Sequence, residues 1–156
     1  MKVILPGSYD PVTLGHVDLI RRASEAYGEV YAVIFVNPNK KYMFSVEERV
    51  KMLTLAVSDI SGVKVDSFDG LVVDYMKEQG IEKIIKGFRN DTDLEWERVQ
   101  AEYNFSHGGY HTELYRCNDA LSDLSSTLVR SRISEGGELG KLLPKAVIDY
   151  LSGKKM

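Results

Sequence analysis

Cysteine is nearly missing from the chain. Cys117 stands alone among 156 residues, so no internal disulfide can form, which fits a reducing compartment. Nothing beside it supplies the paired base that thiolate chemistry needs. No apolar run approaches the ~20 residues that span a bilayer. The first residues, "MKVILPGSYD", have neither the apolar core nor the cleavage site of a signal peptide. The expectation is a cytoplasmic protein with no membrane contact. Positive charge is not in excess: 20 Lys and Arg face 23 Asp and Glu, a net charge of −3. That argues against a nucleic-acid binder. A polyanionic small ligand needs only a local gathering of cations, so the places of Lys40, Lys86, Arg89 and Arg130 say more than the total. No Cys/His cluster has metal-ligand spacing. Neither G-x-x-x-x-G-K-[ST] nor G-x-G-x-x-G occurs, so the two common phosphate loops are excluded. Repeats, linkers and low-complexity runs are missing too, and 1–156 reads as one domain.

What is present is an alternation of strand and helix patterns from end to end. "KVIL" precedes a helix over Leu14–Tyr27, with Val17, Ile20, Ala23 and Tyr27 at helical spacing. "VYAVIFV" is a β-branched apolar run of the kind buried on both faces of a parallel sheet. Ser45 and Glu48 form a capping box ahead of "VEERVKMLTLAV". "VKVDSF" and "KIIKGF" read as strands, "LVVDYMKEQG" as a helix closed by Gly80, and "DLEWERVQAEYNF" as a long helix in which Trp96 is assigned to packing. "SHGGYH" reads as a surface turn and "TELYR" as a fifth strand. "SSTLVRSRISEGG" and "KAVIDYLSG" read as two closing helices, the second started by Pro144. Together these give an α/β fold, a Rossmann-like doubly wound five-stranded parallel sheet with flanking helices.

In such sheets ligands bind beyond the carboxyl ends of the strands. The polar residues of interest fall there: Ser8 to His16, Asn37 to Lys41, Asp69-Gly70, and Lys86 to Arg89. His16, at a helix N-terminus, suits a neutral donor to an oxyanion. Gly87 permits close backbone approach, and Arg89 offers a fork matched to phosphate. Ser125, Ser126 and Thr127 open a helix one turn before Arg130. They suit either ordinary N-caps or a second phosphate cradle. Glu97 suits a ribose or amino partner, or a solvated helix face.

In family order and spacing, the segments "PGSYDPVTLGH", "NPNKKYMFSVEERV", "FDGLVVDY", "IIKGFRNDTDLEWE" and "SSTLVR" cover nearly the whole chain. It resembles the nucleotidylyltransferase superfamily and, more closely, the bacterial phosphopantetheine adenylyltransferases of coenzyme A synthesis. The resemblance implies transfer of adenylyl from ATP to 4′-phosphopantetheine, giving dephospho-coenzyme A and pyrophosphate. It implies that Ser8 and Tyr9 line a shared site, and that His16 and Lys40 act on the transferring α-phosphate together with Arg89. Lys40 and Lys86 would hold the acceptor phosphate, with Ser8 beside them, and Val72 the pantetheine arm. ATP would further meet Gly87, Phe88, Arg89, Glu97 and the run Leu121, Ser122, Asp123, Leu124, Ser125, Ser126, Thr127. It also implies Mg²⁺ carried mainly by the ATP phosphates, a homohexamer, and coenzyme A as a feedback ligand. Three places depart from the family pattern: Ser8 stands where threonine is usual, Lys86 where arginine is usual, and "LYRCNDALSDLSST" lacks the usual aromatic ahead of the serines and carries Asp119 and Asp123.

An acceptor that is already a phosphate needs no strong base, so the expected mechanism is in-line positioning with charge stabilisation. The competing readings are a superfamily member using nicotinate mononucleotide or glycerol 3-phosphate, and a non-catalytic nucleotide-binding module.

Overall fold

Strand β1 (Lys2–Gly7) pairs in parallel with β2 (Glu29–Phe35) over six positions, from Lys2↔Glu29 to Gly7↔Ile34. Its other edge meets β4 (Lys83–Phe88) only at Val3↔Lys83 and Ile4↔Ile84. Strands β3 (Val63–Phe68) and β5 (His111–Arg116) complete a five-stranded sheet of order β3-β2-β1-β4-β5. The strand order reverses between β1 and β4, and their ladder stops short there. A crevice at that place is where doubly wound sheets bind ligands. This computed structural model describes residues 1–118, 121 and 124–154. Ser122 and Asp123, two of the residues expected to meet ATP, lie outside the described residues.

The two-residue period of the strands sorts the core into two layers. Val3, Leu5, Val30, Ala32, Ile34 and Ile85 face one side, under α1 (Leu14–Tyr27), α2 (Val46–Ala56), α5 (Ser126–Glu135) and α6 (Lys145–Lys154). Ile4, Tyr31, Val33 and Ile84 face the other, against Tyr75 and Met76 of α3 (Val72–Gln79) and Ile81 beyond it. Helix α4 (Asp91–Gly108) lies on this second side against α3, β4 and β5.

Caps set the helix limits. Ser45 accepts from the Glu48 amide while the Glu48 carboxylate accepts from Ser45 N–H, the box read from the sequence. Gly80 stops α3 at φ +70°, a conformation that favours glycine. Two expectations fail. Ser106, His107 and Gly108 are not turn but the last turn of α4, which ends at Gly109. Trp96 is not packed: it is 63% exposed, and none of the 18 residues of α4 is buried.

Candidate active site

The segment from Ser8 to Thr13 is an irregular turn fixed by buried polar groups. Tyr9 has φ +48° and is buried, its hydroxyl donating to Leu5 O at 2.7 Å. The Asp10-Pro11 peptide bond is cis. The Asp10 carboxylate is buried and accepts the Met43 and Phe44 amides at 2.9 and 3.0 Å. Arg49 is only 1% exposed. Its Nε donates to Phe44 O and its terminal amino group to Ser8 O, both at 3.1 Å, while its guanidinium lies 4.0 Å from the Tyr42 ring centre. The turn after β1 and the segment before α2 are thus tied into one rigid body. A buried guanidinium needs such acceptors, or its charge would be left unpaired.

The hydroxyl-rich start of α5 is tied to the same turn. Ser125 caps the helix by accepting from the Leu128 amide, and Ser126 Oγ donates to Pro11 O at 2.9 Å. Arg130 donates to Asp10 O at 2.9 Å and lies 3.8 Å from the Asp10 carboxylate. The second cradle considered from the sequence is therefore, at Ser125, Ser126 and Arg130, already hydrogen-bonded within the protein.

His16 is the third residue of α1, and Thr13 is the N-cap. The Thr13 side chain accepts from the His16 amide at 3.3 Å, and His16 Nδ1 lies 2.9 Å from the Thr13 amide. A backbone N–H can only donate, so Nδ1 is the acceptor and the ring proton sits on Nε2. Burial, with the Lys86 ammonium adding to it, lowers the His16 pKa to about 4. At neutral pH the ring is an uncharged N–H donor with a fixed tautomer. Tyr9 packs against it, ring centres 4.8 Å apart.

Two cavities open at the carboxyl edge of the sheet, one on each face. The first, about 300 Å³, lies on the α3/α4 side and includes Lys40, Tyr42, Val72, Ile84, Glu97 and Thr112. The second, about 310 Å³, lies on the α1/α5 side and includes His16, Gly87, Arg89, Cys117 and Leu121. They share four residues, Pro6, Gly7, Ser8 and Lys86. Lys86 Nζ lies 3.7 Å from Glu97 Oε1. Burial pushes the Glu97 carboxyl above its ordinary range, against the pull of Lys86. Arg89 is braced by Asp93, which accepts from its Nε at 3.0 Å and its amide at 3.2 Å. That leaves the terminal amino groups of the fork clear of this bond.

The expected residues divide between these spaces. Ser8, Lys40, Val72, Lys86 and Glu97 line the first cavity. Ser8, Tyr9, His16, Lys86, Gly87, Arg89, Leu121, Leu124, Ser125 and Ser126 line the second. Glu97, grouped with the nucleotide contacts by resemblance, sits with Val72 and not with Arg89. Phe88 lines neither cavity: it is buried, with the Arg116 guanidinium 5.1 Å from its ring centre. Thr127 lines neither, and its hydroxyl accepts from Arg130 at 3.1 Å. Sequence reasoning missed Thr13, Asp93, Cys117 and Thr112 as lining residues. The signal for Asp93 was its four-residue spacing from Arg89 on a helix start. Cys117 and Thr112 gave none.

A cytidylyltransferase-like family model matches residues 4–132. The chain is 42% identical over 152 residues to the phosphopantetheine adenylyltransferase of Clostridium novyi (strain NT), covering 97% of this chain and 94% of that one. It is 38% identical over 151 residues to the enzyme of the same name from Streptomyces coelicolor (strain ATCC BAA-471 / A3(2) / M145), covering 97% and 95%. With the crevice, the neutral histidine and the paired cavities on one edge of its sheet, the chain belongs to the cytidylyltransferase-like family and, within it, to the phosphopantetheine adenylyltransferases.

Proposed function

We propose that this chain transfers the adenylyl group of ATP to 4′-phosphopantetheine, releasing pyrophosphate and forming dephospho-coenzyme A. The observation that carries the reading is the pair of cavities on opposite faces of the sheet, which among the described residues share Pro6, Gly7, Ser8 and Lys86. A direct transfer between two substrates needs two sites meeting at one reacting centre. ATP takes the cavity with His16 and Arg89. The acceptor takes the cavity with Lys40 and Val72, its phosphate toward Ser8 and Lys86.

The chemistry follows from the charges. An acceptor phosphate oxygen attacks the α-phosphorus in line, and the bond to the pyrophosphate oxygen breaks. No proton must be removed from the nucleophile, so the work is alignment and neutralisation of spreading negative charge. His16 Nε2–H supplies a donor toward the α-phosphate, and Arg89 a fork toward the polyphosphate. Lys40 and Lys86 offset repulsion between two approaching anions. Ser8 offers its hydroxyl at the junction.

Mg²⁺ is proposed to arrive on the ATP phosphates, whose charge it screens. Among the described residues no three His, Cys, Asp or Glu gather as a metal cage, and the Asp93 carboxylate in this cavity is engaged by Arg89. The fit is to an ion held chiefly by its substrate. No helix among the described residues is long and apolar enough to cross a membrane, and we place the enzyme in the cytoplasm with no nucleic-acid partner. Coenzyme A, which carries both the adenylyl and pantetheine halves of the product, is proposed as a feedback ligand. A homohexamer is proposed from the resemblance. Trp96, Val99 and Tyr103, all exposed at helical spacing on α4, supply an apolar face for contact between copies.

The test is pyrophosphate release from ATP and Mg²⁺ with 4′-phosphopantetheine, nicotinate mononucleotide or glycerol 3-phosphate in turn. Release with the first alone is expected. Preference for either of the others reassigns the acceptor, and no release with any removes the enzyme reading.

A further inference from the structure

Two residues that line the acceptor cavity each carry a buried side-chain atom with no hydrogen-bond partner among the described residues: Glu97 Oε2 and Thr112 Oγ1. A buried polar group left unpaired costs free energy, so two in one cavity call for a ligand that pairs them. The two residues line the cavity from different elements, Glu97 from α4 and Thr112 from β5. Thr112 pairs in register with Ile84, two residues before Lys86 on the same face of the sheet. At ~3.3 Å per residue, Thr112 therefore lies roughly 7 Å back from the level of Lys86. The cavity thus runs away from the transfer point over Ile84, with Val72 and Ala101 as apolar walls.

We infer that Glu97 and Thr112 are specificity-determining residues for the acceptor, reading hydrogen-bonding groups on the arm behind its phosphate. The inference rests on the adenylyl-transfer reading and moves Glu97 from the nucleotide to the acceptor. An ionised carboxylate only accepts, so Glu97 Oε2 selects an N–H or O–H donor on the arm; Thr112 takes either a donor or an acceptor. Glu97 Oε1 meanwhile stays near the Lys86 ammonium, so one carboxylate touches both the arm and the cation at the transfer point. An arm of amides and hydroxyls satisfies the pair. A plain alkyl chain leaves both atoms desolvated and unpaired, and rejection of that kind discriminates more strongly than a missing methylene.

Thr112→Val and Glu97→Gln keep the shape of each side chain. Titration calorimetry and steady-state turnover of the whole chain are measured with 4′-phosphopantetheine and with an alkyl phosphate of matching length that lacks amides and hydroxyls. Thr112→Val is expected to raise the phosphopantetheine KM and Kd roughly fivefold, and Glu97→Gln about tenfold or more. KM for ATP stays within about twofold in both, and affinity for the alkyl phosphate is unchanged by Thr112→Val. A general packing defect would weaken both acceptors alike. A raised KM for ATP in Glu97→Gln with phosphopantetheine unaffected would return Glu97 to the nucleotide and overturn the inference. Native affinity for phosphopantetheine retained by both variants would overturn it too, with the transfer reading left standing. Failure of the unmodified chain to bind or adenylylate phosphopantetheine would overturn both together.

Discussion

The Thr13 backbone amide donates to His16 Nδ1 at 2.9 Å, and that one bond decides what the histidine can do. It leaves the proton on Nε2, while burial keeps the second proton off at neutral pH. A donor aimed at charge that develops in the transition state acts mainly on kcat. His16→Ala is expected to lower kcat by about 10²–10³ with little change in the KM for ATP. Near-normal kcat in a folded variant would remove His16 from the mechanism.

The same environment gives a pH dependence. The His16 pKa falls to about 4 from an ordinary 6.5, so the folded state binds fewer protons than the unfolded chain between those values. Stability from the neutral ring is fully present above about 6.5 and is lost as pH falls toward 4. NMR titration is expected to put the imidazole midpoint near 4. In His16→Ala, denaturant midpoints should vary less across that window than in the native chain. A midpoint near 6.5 would mean the ring is open to solvent.

Substitution and alkylation of Cys117 should have different effects. No chemical step uses a thiol, so Cys117→Ser should leave turnover within about twofold. Yet Cys117 lines the proposed nucleotide cavity, with Sγ 3.7 Å from where a Cβ on Gly87 would stand. A bulky alkyl group on that sulfur should raise the KM for ATP steeply. Burial pushes the thiol pKa up, so labelling should be slow at neutral pH, and ATP should protect against it. Labelling that leaves ATP kinetics intact would place the nucleotide elsewhere.

Lys86 lines both cavities. Lys86→Ala should raise the phosphopantetheine KM sharply, because a charge between two anions is lost. Lys86→Arg adds a planar fork and should lower that KM with little change for ATP. An unchanged acceptor KM in Lys86→Ala would show that this ammonium does not touch the acceptor.

The face of α4 gives an assembly test. Val99 is 54% exposed between Trp96 and Tyr103. Val99→Asp should reduce the mass in light scattering if this face joins copies. An unchanged assembly would clear α4 of that role.

The strands and most helix limits were legible because their signals are local: apolar runs for β2 and β4, Ser45 with Glu48 for α2, Gly80 after α3. The box at Thr13 was hidden because its third helical residue is histidine, whose ring takes the part usually played by Glu or Gln. Nothing in "VEERV" marks Arg49 as buried, because the acceptors that hold it, Phe44 O and Ser8 O, belong to segments brought together only by folding. Glu97 stood out as a candidate, but the cavity it lines did not. Which face of α4 turns toward the sheet depends on how that helix rolls against β4 and β5, and its apolar residues at helical spacing, Trp96, Val99 and Tyr103, point to solvent instead.

The division of substrates between the two faces is tested most directly by a crystal structure with 4′-phosphopantetheine and the α,β-methylene analogue of ATP bound together. The expected result has the adenine nucleotide on the α1/α5 side beside His16 and Arg89, and the pantetheine arm on the α3/α4 side beside Val72, Glu97 and Thr112. The two phosphates should meet between Ser8 and Lys86. Both ligands on one face, or phosphates held apart by the strand edge, would contradict it.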